Sequence, residues 1–214
     1  MQSFKERVAE AAVAYAQKYK DVYLDHEYLL CSGAFSNQGY YIISAHADNY
    51  RHLIGVNTKM SADDFFQKCI SKTLEVDDFD FVKKGQSEKD VKGAVRDKLK
   101  ALPDFIAMME SALLAQENFT KNKVHCSLAT TDQSATVGFV AAGKARPKTL
   151  LRGDRLDASK SDTVDLILSR PRGSEFFRNI SYGDRSQIQK YYGKIEKLLS
   201  PELRKIEAQE PATV

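Results

Sequence analysis

No stretch of the 214-residue chain approaches the roughly 20 consecutive apolar residues that a bilayer-spanning helix requires. The opening residues, MQSFKERVAEAAVAYAQKYKD, scatter charges among their apolar positions and do not read as a secretory signal, so a cytoplasmic protein without membrane contact is expected. Cysteine is scarce. Cys31, Cys69 and Cys126 are an odd number at wide spacings, with no paired motif for zinc or redox chemistry, and buried free thiols are the expected reading. Eleven Gly and five Pro against eleven Phe and ten Tyr give too few breakers and too many core formers for a collagenous, low-complexity or disordered chain.

Several chemistry-bearing motifs are missing too. There is no phosphate-cradling G-x-x-x-x-G-K-S/T loop, no dinucleotide fingerprint after a strand, no H-E-x-x-H and no G-x-S-x-G elbow. No ligand spacing marks a metal, and the four histidines at 26, 46, 52 and 125 would need partners from elsewhere in the fold to bind one, so neither metal nor cofactor is expected.

What is present is a long, ordinary globular composition with an uneven charge. The formal net charge is only +3, yet residues 61–82 hold six acids and two bases while residues 144–194 hold twelve bases and six acids. A basic C-terminal part of this kind fits a polyanionic partner or a solvated face equally well.

Periodicity assigns an α+β class. Phe4, Val8, Ala11, Ala12, Tyr15 and Tyr19 predict an N-terminal helix ending near Lys20. Residues 23–56 read as three strands, YLLCSGAF, GYYIISAHA and HLIGV, the first two forming a hairpin through residues 36–39 and the last two separated by a DNYR turn with His46 and His52 at its sides. Ser61 and Asp64 form a capping box ahead of Phe65, Phe66, Cys69 and Ile70. A second helical region spans residues 89–119, with a kink or break near Leu102 because Pro103 suits a new first turn. The segments VHCSLAT, ATVGFVAA, TVDLILS and EFFRNISY predict four more strands, with GKARPK as loop, and Asp184 opens a C-terminal helix. The expected architecture is a single domain over residues 1–206. It comprises an antiparallel sheet, an N-terminal helix, a central helical insertion at 61–119 and a C-terminal helix, followed by a flexible tail at 207–214.

Among candidate functional residues the basic segment 143–155 stands out. Lys144, Arg146, Lys148, Arg152 and Arg155 surround Thr149, with Arg170, Arg172 and Arg178 following; guanidinium forks and ammonium groups suit phosphate oxygens, and Phe176, Phe177 and Tyr182 offer rings for base stacking or for a core.

The order of these motifs resembles the fourth phage-borne family of the barnase/EndoU/colicin/RelE-like nuclease superfamily. NYRHLIGVNTKMSADDFFQKCISKTLEVDDFDF is similar to that family's opening signature: His52, Leu53 and Gly55 match a HLTG-like motif with Ile54 in place of Thr, and Phe65, Phe66, Leu74, Asp78 and Phe79 follow. KALPDFIAMMESA resembles its middle helix, VGFVAAGKARPKTLLRGD its G-F then P-x-T-L-x-x-D segment with Lys148 where Asn is common, and VDLILSRPRGSEFFRNISY its closing hairpin. The resemblance implies a barnase/EndoU/RelE-like fold and a metal-independent endoribonuclease acting by transesterification, with RNA as partner. A phage or mobile-element toxin or effector held by a protein inhibitor would fit it. On that reading His52 is the acid or base, Thr149 a hydrogen-bond donor to the phosphate, Arg152 and Lys148 stabilise charge, and Arg170, Arg172 and Tyr182 position RNA. Two other classes remain open. YRHLIG is faintly similar to the NAD-holding strand of ADP-ribosyltransferases, with Glu175 or Gln187 as the needed late residue, and a non-catalytic RNA- or protein-binding module would use the same basic face.

Overall fold

The computed structural model describes residues 2–36, 39–121 and 123–205. Helix α1 (Phe4–Tyr19) starts where Ser3 and Glu6 cap each other reciprocally and runs on into a π-helical turn, Lys20–Leu24. Strands β1 (His26–Cys31) and β2 (Tyr40–Ile43) then pair antiparallel, as the hairpin reading requires. Three helices follow: α2 (Ala47–Ile54), α3 (Ala62–Ile70) and α4 (Glu88–Ala107). The second half is β3 (Leu114–Lys121), β4 (Val124–Thr131), β5 (Ala135–Ala142), β6 (Lys144–Arg152), β7 (Asp162–Thr163), β8 (Leu166–Pro171) and β9 (Asn179–Tyr182). Helices α5 (Arg185–Ile195) and α6 (Pro201–Arg204) close the described chain.

The strands form one mixed sheet in the order β7-β3-β4-β5-β6-β2-β1-β8-β9. Every pairing is antiparallel except β2 with β6, which join the two halves through Ile43 and Ala145. Helices α1 to α4 cover one face, where Tyr19, Tyr23, Tyr50, Leu53, Phe65 and Phe105 pack with Val137, Phe139 and Leu150 of the strands. The α5 stripe of Ile188, Tyr191 and Ile195 covers Leu29, Cys31, Leu166 and Leu168 on the other face. The α+β class and the mainly antiparallel sheet are therefore as expected. No helix among the described residues is long and apolar enough to cross a membrane.

Four local expectations are corrected. DNYR and the His52, Leu53 and Ile54 that follow are not turn and strand but one helix, α2, because Tyr50, Leu53 and Ile54 share a buried face and the Tyr50 hydroxyl donates to the Ala12 carbonyl at 2.7 Å. Short apolar runs look alike in both periods, and packing under α1 decided this one. With no strand there, the similarity of YRHLIG to an NAD-holding strand loses its structural basis. Residues 114–119 leave the predicted helix for β3, whose weak strand formers Gln116 and Glu117 are carried by pairing with β4, while Asn118, at φ 53°, is passed over in the register. GKARPK is not a loop: it opens β6. Pro147, facing Phe139, and a register shift that leaves Lys148 without an opposite residue disguise the strand. Helix α4 is continuous through Pro103, so of the expected kink or break near Leu102 the break is absent. The tail at 207–214 lies outside the described residues.

Gly55 ends α2 in the left-handed region at φ 90°, donating to the Arg51 carbonyl at 2.8 Å. A Cβ there would lie 2.7 Å from Lys98 Cδ. Gly55→Ala is expected to cost about 1–2 kcal/mol, from left-handed strain plus displacement of Lys98. Urea unfolding measures it; an unchanged midpoint would show that the cap does not matter.

Candidate active site

Helix α2 lies along the basic strand β6. Asp48 and His52 are four residues apart, so they project from one face of α2, and each meets a cation of the strand. Arg146 donates to Asp48 at 2.5 Å, and Lys148 lies close enough to His52 to act on its charge. The exposed His52 sits below the ordinary imidazole value. Partial desolvation is the main cause; Arg51, Lys148 and Lys98 add to it, and Asp48 opposes it. A neutral imidazole at pH 7 can accept a proton.

Two lysines cap the carbonyl end of α2: Lys98 donates to the His52 carbonyl at 2.5 Å and Lys83 to that of Gly55 at 2.7 Å. Lys98 is half-buried on α4, and desolvation with the nearby charge of Lys83 brings its ammonium down to about 7. Beside it a cleft of about 290 Å3 is lined by Asp97, Lys98, Lys121, Leu150, Arg152 and Arg155. Among the described residues none of Arg51, Lys83, Lys98, Lys148, Arg152 and Arg155 makes an ion pair. The Nε atoms of Arg51 and Arg146 are buried without a partner. Unneutralised positive charge around a depressed histidine is the arrangement that an anion site with a proton acceptor would need.

Lys148 thus lies beside His52, and Arg152 lines the cleft next to Lys98, whose Nζ reaches the His52 backbone. Thr149 does not join them. Its neighbour Leu150 points into the helix-covered core, so alternation turns Thr149 to the opposite face, where its Cγ2 and the Cys126 sulfur close over Gly138.

Arg170 and Arg172 belong to a second cluster. Glu27 on β1 is 3% exposed and accepts from Arg170 Nη2 at 2.7 Å and Nε at 3.0 Å, from Lys144 at 2.6 Å and from Ser44 at 2.8 Å. Burial alone would raise the carboxyl, but bonds from Lys144, Arg170 and Ser44 outweigh it and hold it at about 2. Arg170 also stacks over the Phe177 ring, 4.3 Å from its centroid, and Phe177 is core. Arg172 is clipped to the Leu24 and Ala45 carbonyls and to Ser44 Oγ. His46, exposed at the start of α2, is lowered by partial burial and then by Arg146 and Arg172. Tyr182 pairs opposite Ile167 and packs its ring against the main core. Of the other histidines, His26 bonds the Asp21 carbonyl and His125 the Thr120 hydroxyl. The three cysteines are buried and free, burial pushing Cys31 and Cys69 up to about 12.

Sequence reasoning missed Lys98, Asp48 and Glu27. The visible signal for Glu27 was an acid inside an otherwise apolar strand, HEYLLC. Lys98 gave none, because nothing local tells which lysine of KLK a fold will desolvate.

No curated protein and no solved structure matches the chain. One family model does, that of the phage-Barnase-EndoU-ColicinE5/D-RelE like nuclease 4 family, and it matches residues 13–200, a span that holds α2, α4, β6 and every residue of both clusters. By that match the chain belongs to the fourth family of phage-barnase-EndoU-colicin E5/D-RelE-like nucleases.

Proposed function

We propose that this nuclease-family chain is an endoribonuclease that cleaves by attack of a ribose 2'-hydroxyl on the neighbouring phosphate. The observation that supports it most is the set of unpaired cations around His52. A phosphodiester entering the crowded phosphorane state needs charge stabilisation at its oxygens and a base at the 2'-hydroxyl. His52 takes the 2'-hydroxyl proton, and Lys148 and Arg152 hold the phosphate oxygens. This leaves Thr149, Arg170, Arg172 and Tyr182 outside the chemistry, with the two arginines serving the strand framework. The family's phage association favours a phage or mobile-element effector, restrained by an inhibitor protein that covers the cleft.

Cleavage of a labelled RNA oligonucleotide in EDTA tests the reading. The RNA is expected to be cut to a 2',3'-cyclic phosphate end, and the same oligonucleotide with deoxyribose at the cleaved position is expected to resist. Salt-sensitive binding without any cleavage would leave a non-catalytic binding module and overturn the proposal.

A further inference from the structure

Transesterification moves two protons, and His52 accounts for one. The 2'-hydroxyl must lose a proton as its oxygen attacks phosphorus, and the 5'-oxygen must gain one as the P–O5' bond breaks. Arginine does not give up its proton in proteins, so Arg152 and Arg155 cannot supply the second. Lys98 lines the same cleft as Arg152, its Nζ donates to the His52 backbone carbonyl, and its charge is close enough to act on the His52 imidazole. We propose that Lys98 is the proton donor paired with His52, delivering its proton to the departing ribose 5'-oxygen. The assignment rests on the ribonuclease reading above and deepens it.

The balance is complete within the protein and its substrate. The 2'-oxygen gives its proton to His52, the new P–O2' bond forms as P–O5' breaks, and the 5'-oxygen takes a proton from Lys98 Nζ. The products are a 2',3'-cyclic phosphate and a 5'-hydroxyl, with His52 protonated and Lys98 neutral until water exchanges the protons back. Lys98 can give up its proton near neutral pH because burial and the charge of Lys83 outweigh the His52 carbonyl that accepts from it, and its other neighbours in the cleft, Leu150, Arg152, Arg155 and Lys121 of β3, are apolar or cationic. Asp97 at the rim on its own helix is the acidic residue of the cleft lining. The working form has His52 neutral and Lys98 charged. Activity should fall on the acid side below pH 6.5, as the depressed His52 charges, and on the alkaline side above about 7, as Lys98 loses its proton.

A linkage with sulfur in place of the 5'-bridging oxygen separates an acid from a merely structural lysine, since a thiolate leaves without protonation. Lys98→Met and Lys98→Arg are expected to slow cleavage of ordinary RNA by about 100-fold or more, and Lys98→Arg to remove the alkaline limb of the pH profile. Both should regain the parental rate on the sulfur linkage, while His52→Ala remains slow on both substrates. An equal deficit of the Lys98 variants on the two linkages, with parental thermal unfolding, overturns the assignment. So does a Lys98→Arg protein with parental rate and alkaline limb. If the parent itself cuts no RNA, the ribonuclease reading falls first and this one with it.

Discussion

Replacing His52 with alanine is expected to lower RNA cleavage by about 100- to 10,000-fold, the range that positioned proton transfer contributes, with little change in folding stability. The two effects separate because of where His52 sits. Its side chain is exposed in the last turn of α2, it makes no side-chain hydrogen bond among the described residues, and its backbone carbonyl, which Lys98 caps, survives the substitution. Alanine also suits a helix at least as well as histidine. An exposed substitution of this kind moves stability by about 0.5 kcal/mol or less. RNA affinity should persist as well, because Arg51, Lys83, Lys98, Lys148 and Arg152 remain. Single-turnover cleavage beside filter binding and thermal unfolding reads all three quantities. A variant that cuts at the parental rate in EDTA removes His52 from the mechanism; one that unfolds early would recast it as a framework residue.

Glu27→Ala should act the other way, on stability first. It strips the partner from Arg170, itself only 8% exposed, and leaves a guanidinium in a site built for neutrality. Removing one partner of a buried pair costs about 3–5 kcal/mol, which for a domain of this size lowers the melting temperature by roughly 2–4 °C per kcal/mol. The parent carries the same dependence on proton concentration. The Glu27 carboxyl is held at about 2, below its ordinary 4.5, so its contribution is complete above pH 4.5 and is lost as pH falls toward 2. Urea unfolding between pH 7 and pH 2.5 should show the parent losing stability over that interval and Glu27→Ala losing less. Combining Glu27→Leu with Arg170→Met should restore much of the loss, since an apolar pair removes the stranded charge. A Glu27→Ala protein that melts with the parent would show that the pair is neutral and return Arg170 to consideration as an RNA contact.

Much of this organisation was legible without coordinates. Ser61 and Asp184 sit at helix starts as their capping patterns indicate, and the alternation in VHCSLAT, ATVGFVAA and TVDLILS predicts β4, β5 and β8. The family resemblance rested on motif order, which survives errors in element type: HLIG keeps its place in the signature although it folds as a helix rather than a strand. His52, Lys148 and Arg152 could be named because residue type alone limits which side chains move protons or hold phosphate.

Facing is what the linear pattern could not supply. Thr149 sits one residue from Lys148 along the chain, yet the strand's alternation carries it to the opposite side of the sheet. Arg170 and Arg172 look as free in the sequence as Arg152, but Glu27, 143 residues before Arg170, claims the first, and carbonyls of the α1–β1 connection and the end of β2 claim the second. Lys98 is one of three closely spaced cations on α4 until the end of α2 and strand β6 come against it and remove its water. By itself, then, the sequence determined the class of the fold, the capped helix starts, the family and the residue types available for chemistry. Those follow from local propensity and from side-chain chemistry. Which cations remain unpaired, which lysine gives up its proton and which side of the sheet holds the site were decided by tertiary packing, because desolvation and pairing depend on contacts between residues far apart in the chain.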